Sequence, residues 1–264
     1  MVGRIEQMRR NHRRFITSPK TGEERSDSFI TVVLLSEKIG HRMKSYGPLP
    51  LLKIGKYTLI DLQISAIKSA FTNFELIVCC GFGCEKVVRY IRDHYPRENI
   101  RVVENQIHQH SNCCESTRLC LNNTNSSNIL LCNGSLVFGS DIMSLIERKH
   151  SHILSETKKV SNLEVGFTDN DEDFVENFSY GVNNIWSEIV FFNNSYIIEE
   201  FSNIVSGIYY KNKFLFEALN ELIRRKHSIR VVRNDQHPIF KIDNIKTYHT
   251  VRRSNEGIIT KLCN

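Results

Sequence analysis

The chain alternates apolar runs with amphipathic stretches in a regular rhythm. Residues 30–35 (ITVVLL) form an uninterrupted apolar run, the pattern of a strand buried on both faces. A polar loop holding Gly40 and Arg42 follows, and a second apolar run begins at Pro48. Over residues 57–71, Leu59, Leu62, Ile67 and Ala70 recur near helical spacing, which predicts an amphipathic helix. Residues 74–81 make another apolar run ending in Gly81, residues 84–94 a second helix closed by Pro96, and residues 100–105 a third strand. Strand, helix, strand, helix, strand at this spacing predicts an α/β fold built on a doubly wound, mostly parallel sheet.

The same reading continues downstream. A strand is expected over 128–138, then a helix opening near Asp141, whose carboxylate suits the cap. The last third alternates β-rich runs (163–167, 188–192, 206–210 and 229–232) with polar turns. Residues 214–223 read as a helix, with Arg224, Arg225 and Lys226 at the end where cations complement its dipole.

With 264 residues, the chain can bury one large α/β core carrying an appended arm. No apolar run is long enough to span a bilayer, and the arginine-bearing start lacks the apolar stretch of a signal peptide. A cytoplasmic protein without membrane contact is expected, in the host cytoplasm or a virion if the source is viral. The Asn- and Ile-rich composition fits an AT-rich genome such as a phage or another virus carries. The eight cysteines include the adjacent pairs Cys79-Cys80 and Cys113-Cys114 but no CxxC, and they read as reduced core residues. His108, His110, Cys113 and Cys114 could supply metal ligands in principle; the competing reading is a polar loop with alternating histidines.

Charge is unevenly placed. Residues 1–20 carry Arg4, Arg9, Arg10, Arg13, Arg14 and Lys20 against Glu6, leaving a nearly neutral body in a chain of net charge +6. Residues 1–28 therefore read as a basic, flexible arm ahead of an α/β domain over 29–264. Arg9, Arg10, Arg13 and Arg14 are its candidate contacts, with nucleic acid or with an acidic protein, because arginine clusters recognise phosphate and carboxylate alike.

One stretch resembles a known signature. Leu35-Ser36-Glu37-Lys38-Ile39-Gly40-His41-Arg42, followed by Pro48-Leu49-Pro50-Leu51-Leu52, is similar to the L-A-A-G-x-G-x-R and P-K-P-L-L of the sugar-phosphate nucleotidylyltransferases. Further matches extend over about residues 30–250. Asn105 and Ser116 stand in the region that lies against the nucleotide in that family, Gly134-Ser135 where it has Gly-Asp, residues 205–210 at its S-G-I-Y strand, and Lys241 to Tyr248 at its I-D-T-P-E-D element. The resemblance implies a nucleotidyltransferase-like, Rossmann-like fold. It assigns Gly40, Arg42, Asn105 and Ser116 to nucleotide binding, Arg42 to catalysis, and Asp243 to Mg²⁺.

The departures carry chemistry. Lys38 replaces the first glycine of the loop and would put a long side chain where phosphates approach the backbone. Leu49 replaces a lysine that would neutralise the triphosphate, although Lys38 or Lys44 could reach in. Ser135 replaces one of two metal-binding aspartates, and a neutral hydroxyl is a poor Mg²⁺ ligand. The leading expectation is therefore a catalytically degenerate protein without a cofactor, a structural or binding component of a larger assembly with other proteins as partners. Two alternatives remain: an active Mg²⁺-dependent enzyme joining a nucleoside triphosphate to a sugar phosphate, in which Lys38 or Asp141 would stand in for missing groups, and a nucleotide or sugar sensor.

Overall fold

The computed structural model describes residues 29–156 and 164–253. The basic arm, with Arg9, Arg10, Arg13 and Arg14, lies outside the described residues. In chain order the strands are β1 (Ile30–Ser36), β2 (Lys53–Ile54), β3 (Tyr57–Thr58), β4 (Phe74–Cys80), β5 (Ile100–Glu104), β6 (Ile129–Asn133), β7 (Leu136–Val137), β8 (His152–Glu156), β9 (Val165–Asp169), β10 (Val175–Tyr180), β11 (Asn184–Phe192), β12 (Arg230–Val232) and β13 (Phe240–Lys241). The α-helices are α1 (Leu59–Ala70), α2 (Cys84–His94), α3 (Cys113–Leu121), α4 (Ser140–Ser144), α5 (Ser195–Ser206), α6 (Leu215–Arg224) and α7 (Ile245–Arg253).

Strands β5, β4, β1 and β6 lie side by side, all parallel, with β1 between β4 and β6. Beyond β6 the sheet continues with β11, which runs antiparallel to it and pairs in turn with β8 and β9. The doubly wound α/β architecture is thus present, and its parallel core is the half that the sequence rhythm marks most clearly.

Both faces of β1 are covered, which is why its sequence is apolar throughout. Ile30, Val32 and Leu34 pack toward Ile60, Ile64 and Ile67 of α1 and Val87 and Ile91 of α2. Val33 and Leu35 belong to the opposite layer, with Cys114 and Cys120 of α3, Phe201 of α5 and Leu219 of α6. The helix α1 starts through a reciprocal cap: Thr58 Oγ1 accepts from the Asp61 amide at 3.3 Å, and Asp61 Oδ2 accepts from the Thr58 amide at 2.7 Å. The seven cysteines of the described residues are free thiols, six buried and Cys113 half-buried. Among the described residues, no helix is long and apolar enough to cross a membrane.

Several expected elements differ. Residues 206–210 are not a strand: α5 runs to Ser206 and a 3₁₀ helix spans Ile208–Asn212. Ile208 and Tyr209, which made the run look strand-like, point to solvent with 87% and 68% of their surface exposed. The helix near Asp141 is only Ser140–Ser144; Gly139 occupies its cap without a side-chain bond, and the Asp141 carboxylate instead lies 3.5 Å from His237 Nδ1. Ser116 does not begin a helix either. It sits inside α3, whose cap is Asn112, the side chain of which accepts from the Cys113 amide. The run expected as one strand over 128–138 is β6, a turn at Gly134-Ser135, and β7. The run expected from 163 is β9, starting at Val165.

Candidate active site

Three chain segments converge at the carboxyl end of β1. The loop over residues 37–43 is stitched to the segment after β13, because the His41 amide donates to Asp243 O at 3.0 Å. That segment is joined to the turn after β6: β13 pairs with β7, and the Ile242 amide donates to Ser135 O at 3.0 Å. The loop bearing Gly40, the turn bearing Ser135 and the segment bearing Asp243, far apart in sequence, therefore come together. Gly40 is obligatory at this crossing, since a Cβ there would lie 2.8 Å from Asp243 O.

The loop is open to an anion. Among the described residues, the amides of Ile39, Gly40 and Arg42 have no hydrogen-bond acceptor, and Arg42 forms no ion pair. Arg42 is exposed and holds a left-handed backbone at φ 59°, a conformation that costs a non-glycine residue on the order of 1 kcal/mol. Lys38 leaves the loop and reaches α3, where its ammonium donates to Asn112 Oδ1 and stands 5.4 Å from the centroid of the Phe214 ring. Lys44 is drawn to Phe82, 5.8 Å from its ring centroid. Leu49 is buried in a small apolar cluster with Met43, Leu52, Leu59, Val137, Ile242 and Tyr248, so this position faces a core and not the cleft.

Asn105 and Ser116 are both wholly buried and bonded to each other, Asn105 Nδ2 donating to Ser116 Oγ at 2.9 Å. Asn105 also accepts from the Ile107 amide at 3.1 Å. That bond ties the loop after β5 to α3. His108, His110, Cys113 and Cys114 do not gather: His108 Nδ1 is at Asn105 O, while Cys113 Sγ accepts from the Leu215 amide. Among the described residues no group of three His, Cys, Asp or Glu could hold a metal ion.

The donor set for Mg²⁺ does not fit. Ser135 Oγ is buried without a protein partner, as is Ser36 Oγ beside it across Gly134, and both are neutral hydroxyls. Asp243 has its Oδ1 occupied by Thr247 Oγ1 at 2.9 Å and Asn244 Nδ2 at 2.6 Å. One half-engaged carboxylate opposite a hydroxyl lacks the anionic oxygens on which a hard cation depends.

Three site residues escaped the motif comparison. Glu37 stands where the family pattern has alanine; it is 3% exposed, and its Oε2 has no partner. Glu188 interrupts the apolar β11 at a bulge with φ 61°, which aims it at Asn133 Nδ2 and Lys241 Nζ. Lys241 is the third. Nothing in the sequence pairs Glu188 with Lys241, and Glu37 is followed directly by Lys38, so no local signal marked them.

Burial raises the Glu37 carboxyl above its ordinary 4.5, against its own amide, the Lys38 charge and the Ser116 hydroxyl. Above pH 4.5 the unfolded chain has released this proton while the folded chain still holds it. Stability is therefore lost as pH rises through the folded value, by up to about 1.4 kcal/mol per pH unit, and levels off beyond it. Glu37→Gln should remove that component: in urea titrations from pH 4 to 8, the variant is expected to gain on the wild type as pH increases. Parallel curves would refute the assignment.

No protein-family profile matches the sequence, and no curated protein does. Solved structures do match over most of the chain. CTP:phosphocholine cytidylyltransferase from Streptococcus pneumoniae superposes with a TM-score of 0.71 at 15% identity, over 85% of this chain and 98% of its own. The inositol-1-phosphate CTP transferase of T. maritima gives 0.71 at 13% identity, over 87% and 98%. The chain has the nucleotidylyltransferase fold. A nucleoside-diphosphate-sugar pyrophosphorylase from Vibrio cholerae RC9 agrees, with 0.67 at 12% identity over 84% and 99%. In the nucleotidylyltransferase fold, as in other open α/β sheets, ligands are taken up beyond the carboxyl ends of the parallel strands, where the 37–43 loop lies.

Proposed function

We propose that this protein binds a nucleoside triphosphate at the loop after β1 and transfers its nucleotidyl group to a phosphorylated small molecule, releasing pyrophosphate. The observation that carries the reading is the set of free amides on Ile39, Gly40 and Arg42 beside the unpaired Arg42 guanidinium, at the carboxyl end of the central parallel strand. Backbone donors fix a phosphate's position, and a guanidinium matches it with two parallel hydrogen bonds. Arg42 then stabilises charge that builds on the transferred group and on the departing pyrophosphate. The names of the structural neighbours, two CTP-using transferases and a pyrophosphorylase, support the same class of reaction.

A second reading, nucleotide retention without transfer in a larger assembly, is favoured by Leu49 turned into a core and by the hydroxyl of Ser135 in place of a carboxylate. The arginines of the arm would then supply contacts to other members of the assembly. Thermal unfolding in the presence of each nucleoside triphosphate, with and without Mg²⁺, tests what the two readings share, because a ligand of the folded state must raise its stability. One triphosphate is expected to raise the midpoint, and Arg42→Ala should weaken its binding by roughly tenfold or more without altering the fold. No shift with any triphosphate would overturn both readings. Pyrophosphate release with phosphorylated sugars and alcohols then separates transfer from retention.

A further inference from the structure

The cleft lacks a fitting metal set, yet it is not short of positive charge. Lys241 ends β13 two residues before Asp243, and the pairing of β13 with β7 sets it opposite Leu136, next to the Gly134-Ser135 turn. Its ammonium donates to Glu188 Oε1, while Asn133 Nδ2 holds the other carboxylate oxygen. Asn133 also fixes the turn itself, its Oδ1 accepting from the Ser135 amide at 2.9 Å.

One ammonium is thus bonded to a carboxylate, Glu188, beside a turn where the nucleotidylyltransferase pattern carries a metal-binding aspartate. We infer that the Lys241 ammonium takes the place of a divalent cation in this cleft, so that phosphate is met by a protein-borne charge without Mg²⁺. This rests on the nucleotide reading above for its ligand, but the occupancy of Glu188 by lysine stands apart from it. An ammonium has three donors, and Glu188 takes one, leaving two for phosphate oxygens. A hard cation could enter only by displacing Lys241 from Glu188.

Mn²⁺ is a suitable probe, with the free ion counted by electron paramagnetic resonance over the full chain. The wild type and Lys241→Arg are expected to take up none at the cleft. Lys241→Met, which keeps the stem and removes the charge, should gain one Mn²⁺ site about tenfold or more tighter than any in the wild type, because Glu188 loses its counter-ion. In parallel, calorimetric titration of the wild type with the triphosphate that shifts thermal unfolding should give affinities in EDTA and in Mg²⁺ within about twofold, and Lys241→Met should lose about tenfold in EDTA. Stoichiometric Mn²⁺ uptake by the wild type at a site abolished by Glu188→Gln would overturn the inference, as would failure of folded Lys241→Met to gain a site. Wild-type binding that vanishes in EDTA would overturn it too, while leaving the nucleotide reading intact. Absence of binding in both media would overturn that reading, and the Mn²⁺ counts would still decide the role of Lys241. If Lys241→Met does not fold, the wild type and Lys241→Arg decide through the Mn²⁺ and EDTA measurements.

Discussion

Arg101→Met is expected to lower the stability of this protein by about 3–5 kcal/mol at neutral pH, the range found when a buried ion pair loses one partner. Glu75, in the middle of the parallel sheet, is only 2% exposed. Its Oε2 accepts from Arg101 Nη2 at 2.5 Å, and its Oε1 from the hydroxyls of Thr31 and Thr124, each at 2.7 Å. The four side chains join β1, β4 and β5 to the segment leading into β6 through a single carboxylate. Without the guanidinium, that carboxylate loses a cationic partner, and its charge becomes more expensive to hold in the interior. Adding Glu75→Gln to Arg101→Met removes the stranded charge and should recover part of the loss, a coupling that a double-mutant cycle in urea isolates. A loss below about 1 kcal/mol in Arg101→Met would mean that the pair contributes no more than an exposed one.

Glu75 also shows where a sequence reading stops. The run over 74–81 is legible as a strand because apolar residues outnumber the one acid, and nothing within it marks the acid's partner, 26 residues later on β5. Elements whose evidence is local were readable: β1, β4, α1 and α2 each carry their own periodicity and their own ends. The S-G-I-Y segment was not, because β-branched and aromatic residues favour strands only when a sheet receives them, and here Ile208 and Tyr209 face water. For α5 the better signal was present in Ile197, Phe201, Ile204 and Val205, all buried at helical spacing.

The site divides in the same way. Gly40, Arg42, Ser135 and Asp243 were legible because a motif fixes their order, and the fold brings the loops that bear them together. For Asn105 and Ser116 the motif gives a region, whereas their mutual hydrogen bond depends on α3 packing against the loop after β5. Leu49 could be seen to lack a charge, whereas its burial against Ile242 and Tyr248 depends on α7 folding back over the loop. Glu188 and Lys241 were hidden because their meaning is pairwise. Each is unremarkable in its own strand, and only the bulge in β11 and the antiparallel pairing of β13 with β7 bring them into contact.

Gly134→Ala should cost about 2–3 kcal/mol and lower the melting midpoint by roughly 4–10 °C, since overpacking a filled interior forces backbone or rotamer shifts. A Cβ at this position would lie 1.9 Å from Ser36 Oγ, 2.8 Å from Ser36 Cβ and 2.9 Å from Leu35 O. Ser36 is itself buried and cannot swing clear, and the Gly134 amide is tied to Leu35 O at 2.9 Å. From the α1 side, Gln63 Nε2 grips the turn by donating to Gly134 O at 3.1 Å and Leu136 O at 2.8 Å. The turn therefore cannot retreat, so the strain must pass to the β1 terminus or to Ser135, and either movement disturbs the 37–43 loop. The nucleotide-induced thermal shift should fall along with stability in Gly134→Ala. Ser36→Gly in the Gly134→Ala background removes the two closest atoms and should restore most of both properties. A Gly134→Ala protein as stable as the wild type would show that β1 and the turn after β6 are not packed as tightly as these distances require.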